Sequence, residues 1–271
     1  MFQSKLKNFA MSAAAIAVLA ASSSASAITL TNSAGSFANW GGFDWAENGS
    51  AVVTGFDATS STTDVFDLTF FSDAVAISQS GGGVITGATI GLLSGNYEYT
   101  IEAILNETST CNTFAGGICT DASFQVNSGT FNIWYDTAND ANLVTGAGIT
   151  DGILLISGTI LAQPGGGFDV IAGGNATLSA LITYTNGAYI NPDLASSVAA
   201  TTLQIGANTT NWTAPTSMPG ALGGTQALPQ DRILLQADGN QTFSAVPEPA
   251  TLALLGLGLT GIGLARRRKQ A

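Results

Sequence analysis

Histidine is absent from this 271-residue sequence, and lysine and arginine together number only seven. Six of those seven lie among the first seven or the last six residues. Residues 28–246 therefore hold one basic residue, Arg232, against 17 acids, a net charge of −16. A protein that binds nucleic acid needs lysine or arginine to displace counterions from phosphates. The sequence therefore predicts no nucleic-acid partner.

The missing histidine also narrows the possible chemistry. It excludes a histidine general base, a serine–histidine or cysteine–histidine nucleophile pair, and a histidine-ligated metal. A Walker-type phosphate site needs a lysine, and residues 28–246 contain none. These absences favour a protein that is not an enzyme.

Residues 1–27 have the pattern of a secretory signal peptide. Lys5 and Lys7 supply a positive n-region, and Met11–Ala21 is an apolar stretch too short to span a membrane, which takes about 20 residues. Ala25-Ser26-Ala27 fits the A-x-A rule, so we expect signal peptidase to cleave after Ala27. The leader predicts an exported protein in an oxidising compartment.

Residues 246–271 combine a proline-stiffened junction, an apolar helix over 251–265 and a basic end. Four clustered positive charges are expected to stay in the cytoplasm. The leader places the domain between the two ends outside, so both ends predict the same topology. On composition alone, the C-terminal segment could also be a permanent single-pass anchor.

The triplet Pro247-Glu248-Pro249, the apolar helix, and the basic cluster Arg266, Arg267 and Arg268 together resemble the PEP-CTERM sorting signal. That resemblance implies recognition by exosortase, a membrane enzyme of Gram-negative bacteria that make exopolysaccharide. It further implies a precursor held transiently in the inner membrane. The mature form would then be secreted or displayed in the extracellular matrix.

The region between the two signals resembles the flocculation-associated PEP-CTERM proteins. The resemblance implies a role in exopolysaccharide-dependent cell aggregation, in flocs or biofilm, and it supplies no catalytic residues. The segments that carry it are GGFDWAENGSAVVTGF (41–56), VFDLTFF (65–71), YEYTIEAIL (97–105), FNIWYDTANDANLVTG (131–146) and GILLISGTILAQ (152–163).

Residues 28–245 are predicted to form one all-β domain, an antiparallel sandwich or a jelly-roll-like fold. In Tyr97–Leu105 the odd-numbered residues share an apolar face, and in Asn175–Tyr184 the even-numbered residues from Ala176 to Tyr184 do so. Glycine runs and Asp238-Gly239 are expected to mark turns between strands. Further strands are predicted at 65–71, 131–135, 153–162, 168–171, 201–205 and 232–237.

Cys111 and Cys119 bracket a short segment that contains Gly116-Gly117. In an exported chain this pattern predicts a disulfide that staples a loop. A redox or metal pair is the alternative, but the spacing is wider than C-x-x-C.

The segment DTANDAN directly follows a predicted strand and contains Asp136, Asn139, Asp140 and Asn142, with Asp151 downstream. Ca²⁺ takes six to eight oxygen ligands, so this segment is a candidate calcium site, although it lacks the EF-hand order. The alternative is an ordinary turn, because Asn and Asp favour turns for backbone reasons.

Two more patterns are compatible with carbohydrate binding or carbohydrate hydrolysis. The tryptophans could stack on sugars, or they could anchor loops in the core; they are Trp40, Trp45, Trp134 and Trp212. Of these, Trp40 and Trp45 are predicted in a glycine-rich loop. Four acids could supply a carboxylate pair for glycoside hydrolysis, or they could be a solvated rim; they are Asp57, Asp64, Asp67 and Asp73. Beside matrix cohesion, the sequence therefore leaves open a calcium-dependent carbohydrate-binding module and a polysaccharide-active enzyme.

Overall fold

The structure is a computed structural model that describes residues 27–92, 96–206 and 211–244. Residues Ala27–Ser244 form one compact unit. Residues 1–26 of the predicted signal peptide (1–27) lie outside the described residues, and so does the predicted sorting segment with Pro247, Glu248, Pro249, Arg266, Arg267 and Arg268.

Almost all regular structure in the described ranges is β-strand, and every strand pair is antiparallel. This confirms the predicted all-β antiparallel fold. The strands are β1 (Thr29–Asn32), β2 (Gly35–Ala38), β3 (Trp40–Trp45), β4 (Gly49–Thr54), β5 (Thr63–Gln79), β6 (Gly83–Thr86), β7 (Glu98–Ala115), β8 (Ile118–Asp136), β9 (Ile153–Ile160), β10 (Gln163–Asp169), β11 (Gly173–Thr185), β12 (Ile190–Asn191), β13 (Val198–Ile205), β14 (Ser217–Pro219), β15 (Thr225–Ala227) and β16 (Ile233–Ser244).

Helical structure in the described ranges is limited to the single turn α1 (Gly87–Ile90) and a 3₁₀ turn at Ala221–Gly223. Within those ranges, no helix has the length and apolar character needed to cross a membrane.

The main sheet closes on itself. From β11 the pairing runs through β13 to β16, then through β3 and β4 to β5, and on through β7 to β8. Both β9 and β10 pair with β8 on one side and with β11 on the other, which completes the circuit. Closure pairs the backbone groups that an open sheet would leave free at its edges.

The inward face of the closed sheet is packed with apolar side chains. The predicted alternation in Tyr97–Leu105 is confirmed, since Tyr97, Tyr99, Ile101, Ala103 and Leu105 are all buried. Full burial of one such large side chain stabilises a fold by about 1.5–3 kcal/mol. One cavity in the described interior has a volume of about 20 Å³, which is room for about one water molecule.

The two N-terminal strands, β1 and β2, form a second sheet together with β12, in the order β12–β1–β2. Its Leu30 is fully buried, and Asn32 Nδ2 donates a hydrogen bond to Tyr99 Oη at 2.9 Å. Tyr135 Oη donates to Ser33 Oγ at 2.8 Å. These contacts hold the small sheet against the buried tyrosines at the start of β7 and the end of β8.

Part of the outer face is covered by two long segments, residues 137–152 and 211–230. Ile149 and Met218 of these segments form a small apolar cluster with Val52 and Phe71 of the sheet. Glu98 and Thr100 were predicted to lie on the polar face of β7, and they do, but this covering buries both. Thr100 Oγ1 donates to the carbonyl of Ile149 at 2.6 Å.

Three local expectations are corrected. Trp40 and Trp45 were predicted in a glycine-rich loop, but they lie on β3 and are fully buried. Asp238-Gly239 was expected at a turn, but it lies inside β16, where a side chain at Gly239 would meet the ring of Trp45. Tyr184 was expected on the apolar face of β11; a bulge between Ile182 and Tyr184 turns it to the outer face instead.

Candidate functional site

Three carboxylates gather where β8 ends and β9 begins. Asp136 is the last residue of β8, Asp140 lies in the following loop, and Asp151 lies two residues before β9. Each offers a carboxylate oxygen, and these oxygens all lie within 4.8 Å of one another. The structure therefore brings two of the sequence-predicted acids together with the downstream acid.

The loop that carries Asp140 is held by a buried acid on the neighbouring strand. Glu98 lies opposite Asp136 in the β7–β8 ladder and is 1% exposed. Its Oε1 accepts the backbone N–H of Ala141 at 3.0 Å and that of Asp140 at 3.3 Å. The backbone of Gly148 also lies close to Asp140. Its φ is +71°, and a Cβ there would lie 2.7 Å from the Asp140 carbonyl oxygen, so this position requires glycine.

The electrostatics of this acidic loop follow from burial and like charge. Partial burial, followed by repulsion from Asp140 and Asp136, raises the pKa of Asp151 above its ordinary value. Burial raises the pKa of Glu98 to about 7, although its hydrogen bonds from Ala141 and Asp140 oppose the shift. A hard divalent cation would relieve the repulsion, and carboxylate oxygens are the ligands that Ca²⁺ takes.

The two asparagines predicted as calcium ligands lie in the same loop. Asn142 Oδ1 accepts the backbone N–H groups of Val144 and Thr145 at 2.9 and 3.0 Å, which is an Asx turn. Asn139 is exposed and directly precedes Asp140. Sequence reasoning missed Glu98, because an acid on the polar face of an alternating strand gives no sign that a loop will cover it.

The predicted disulfide is present between Cys111 and Cys119, with a Cα–Cα distance of 5.7 Å. It joins β7 to β8 beside the hairpin turn at Gly116-Gly117. The backbone N–H of Cys119 also donates to the carbonyl of Ala58 at 2.8 Å, so the 57–62 loop is held against this hairpin.

The four tryptophans have different environments. Trp40 and Trp45 are core residues that pack with Phe43 and Phe243, and their indole nitrogens have no hydrogen-bond partner among the described residues. Trp212 is half-buried and donates to Ser50 Oγ at 3.2 Å. Trp134 is half-buried on the outer face of β8.

The four acids considered for glycoside hydrolysis are spread along and before β5. Asp64 and Asp73 lie nine residues apart on that strand, about 30 Å at the usual rise. Two carboxylates that hydrolyse a glycosidic bond lie about 5–9.5 Å apart. Asp64 instead accepts the backbone N–H of Asp57, and Asp67 accepts Asn106 Nδ2 at 2.8 Å.

A further acid lies inside the closed sheet. Glu107 follows a bulge in β7 and is 4% exposed, beside a cavity of about 10 Å³ lined mainly by apolar side chains. Burial alone raises the pKa of Glu107 to about 7. The cavity holds no more than a single water molecule.

Comparison with known proteins identifies one segment. Residues 245–269 match the family described as the PEP-CTERM protein-sorting motif, which covers the sequence-predicted Pro247-Glu248-Pro249 and Arg266–Arg268. No curated protein and no solved structure matches the chain. The motif implies processing by exosortase and a membrane-anchored precursor. The chain therefore carries a PEP-CTERM protein-sorting motif in residues 245–269, which supports its export and its sorting by exosortase.

Proposed function

We propose that the mature domain is a non-catalytic protein of the extracellular matrix of a Gram-negative bacterium, where it promotes exopolysaccharide-dependent cell aggregation in flocs or biofilm. The observation that carries this proposal is the sorting motif at 245–269 joined to one compact β unit, Ala27–Ser244. Such a motif delivers that unit to the cell surface, where polysaccharide surrounds it.

The shape of the unit supports a role in binding at its surface. Two cavities of the described interior, of about 20 and 10 Å³, each hold about one water molecule. A polymer chain fits neither of them, so we place its contacts on the outer face or at loops. The disulfide and the closed sheet favour persistence outside the cell, where no chaperone system refolds the chain.

Replacing Pro247-Glu248-Pro249 with three alanines tests the proposal. The apolar segment and its basic end remain, so the precursor should still reach the inner membrane, but exosortase should no longer recognise it. We expect an uncleaved, membrane-retained precursor and dispersed cells that still make polymer. Immunoblots of membrane and medium fractions, with aggregation scored in parallel, measure both effects.

Ala250→Gly, a change beside the triplet that leaves it intact, is the matched control and should process and aggregate normally. A triple-alanine strain that flocculates normally with an uncleaved precursor would favour a permanently anchored adhesin. Normal aggregation after deletion of the whole gene would contradict the proposal itself.

A calcium-dependent carbohydrate-binding module is the second candidate. The observation that favours it is the approach of the Asp136, Asp140 and Asp151 carboxylates within 4.8 Å. In this reading a bound Ca²⁺ would offer open coordination positions to sugar hydroxyl groups, as a hard cation that prefers oxygen ligands.

Calcium is then expected to raise the melting temperature of the protein by mass action. At a concentration about a hundredfold above the Kd, the gain in free energy of unfolding is about 2.7 kcal/mol. In a domain of this size that corresponds to a rise of several degrees. Asp140→Asn combined with Asp151→Asn should abolish the calcium-induced rise, while Asp231→Asn, at an exposed acid outside the group, should keep it. An unchanged melting temperature of the wild type at 10 mM Ca²⁺ would dismiss this candidate.

A further inference from the structure

A β-bulge exposes an aromatic ring that the sequence pattern would bury. Leu178, Ala180 and Ile182 on β11 point into the core, and strict alternation would send Tyr184 there too. The register of β11 against β9 slips between Ile182 and Tyr184, so Tyr184 lies opposite Ser157 on the outer face and is 43% exposed. Bulges occur preferentially next to functional sites, where they redirect a side chain.

A second aromatic ring lies on the same outer face two strands away. Trp134 on β8 is half-buried and alternates with the inward-facing Ile133 and Tyr135. Another register shift, between Ile133 and Trp134 in the β8–β9 pair, lies beside it. From the usual strand spacing and rise, the Cα atoms of Trp134 and Tyr184 are roughly 12 Å apart, which a chain of a few sugar units can cover.

Hydrogen-bonding groups lie between the two rings. Across the sheet Glu102 is opposite Asn132, Asn132 is opposite Ser157, and Ser157 is opposite Tyr184. Ser157 Oγ donates to Asn132 Oδ1 at 2.7 Å. In the described part of the chain, the Asn132 amide nitrogen and the Trp134 indole nitrogen have no hydrogen-bond partner, so both can donate to a ligand.

We infer that this strip of the outer face, bounded by Trp134 and Tyr184 and containing Glu102, Asn132 and Ser157, binds an uncharged polysaccharide. The inference rests on the proposed function and names the surface and the chemical class of its polymer. Aromatic rings present a flat apolar face that suits the C–H face of a sugar ring, and amide and hydroxyl groups suit its hydroxyl edge.

The negative charge of the domain favours a neutral polymer over an anionic one. The strip contains one acid and no base, and residues 28–246 carry a net charge of −16 with Arg232 as their one basic residue. An anionic polysaccharide would be repelled by the domain, since binding it requires cationic side chains. A neutral glycan meets no such barrier and needs only the stacking and hydrogen-bonding groups that the strip offers.

The test is affinity electrophoresis of the full-length protein in a zwitterionic detergent without a sugar headgroup. The neutral probes are xyloglucan, galactomannan and hydroxyethyl cellulose, and alginate is the anionic probe. We expect retardation by at least one neutral polymer, none by alginate, and the same retardation in EDTA. Trp134→Ala and Tyr184→Ala should each weaken binding about tenfold, the usual effect of losing a central aromatic contact. Trp134→Phe and Tyr184→Phe should stay within about threefold of the wild type.

Phe114→Ala is the matched control, because Phe114 is an exposed aromatic residue near the β7–β8 turn, outside the strip. It should bind as the wild type does, and melting curves should show that all variants are folded. The inference is overturned if the wild type binds no neutral polymer, if EDTA abolishes binding, or if folded Trp134→Ala and Tyr184→Ala variants bind normally.

Aggregation separates this inference from the proposed function. A deletion strain that loses aggregation, and fully regains it with the Trp134→Ala, Tyr184→Ala double variant, leaves the proposed function standing and overturns the binding surface. A deletion strain that aggregates like the wild type overturns the proposed function, whatever the electrophoresis shows.

Discussion

The free energy of unfolding is expected to fall by about 2.5 kcal/mol between pH 5 and pH 8 because of Glu107 alone. Burial raises the pKa of this acid from 4.5 to about 7 in the folded chain. The folded state therefore binds the proton more tightly than the unfolded state does. The contribution of this protonated acid to the free energy of unfolding is fully present below pH 4.5 and is lost as the pH rises through about 7.

Glu107→Gln removes the charge and keeps the size of the side chain. The variant should lie within about 1 kcal/mol of the wild type in urea unfolding at pH 5 and exceed its free energy of unfolding by about 3 kcal/mol at pH 8. Asp231→Asn, at an exposed position, should change neither value by more than about 0.5 kcal/mol. Equal pH dependence in Glu107→Gln and the wild type would show that Glu107 is solvated in the folded state.

Glu98→Ala is expected to lower the free energy of unfolding by about 3 kcal/mol at pH 5. The Glu98 side chain is buried, and its carboxyl group accepts the backbone N–H groups of Asp140 and Ala141. Removing it leaves both donors without their partner and creates a cavity. The acidic loop should loosen, so hydrogen exchange at Asp140 and Ala141 should accelerate.

Glu98→Gln separates the hydrogen bonds from the charge. The amide oxygen can still accept both N–H groups, so the variant should keep the slow exchange at Asp140 and Ala141. Because burial raises the pKa of Glu98 to about 7, this variant should also be more stable than the wild type at pH 8. Fast exchange in both variants at pH 5 would contradict this assignment, because a Glu98 carboxyl group with a pKa of about 7 is mostly uncharged at that pH. Slow exchange in both would mean that other contacts do.

Local chemistry accounts for the parts of the fold that the sequence determined. The alternation in Tyr97–Leu105 specified which residues of β7 face the core, because neighbouring side chains on a strand point to opposite faces. Cys111 and Cys119 bracket a glycine turn, which brings two antiparallel strands close enough for a disulfide. The sorting motif at 245–269 is defined by its own residues, so it can be identified without knowledge of the fold.

Only the tertiary structure decided what covers each face and where the register slips. Glu98 and Glu102 occupy equivalent positions of one pattern, yet residues 137–152 bury the first and leave the second partly exposed. Tyr184 belongs to the inner face by alternation, but the bulge in the β9–β11 pair places it outside. Asp151 joins Asp136 and Asp140 only because the loop between β8 and β9 folds back. Each of these outcomes depends on contacts between segments far apart in the chain, and a local pattern carries no information about such contacts.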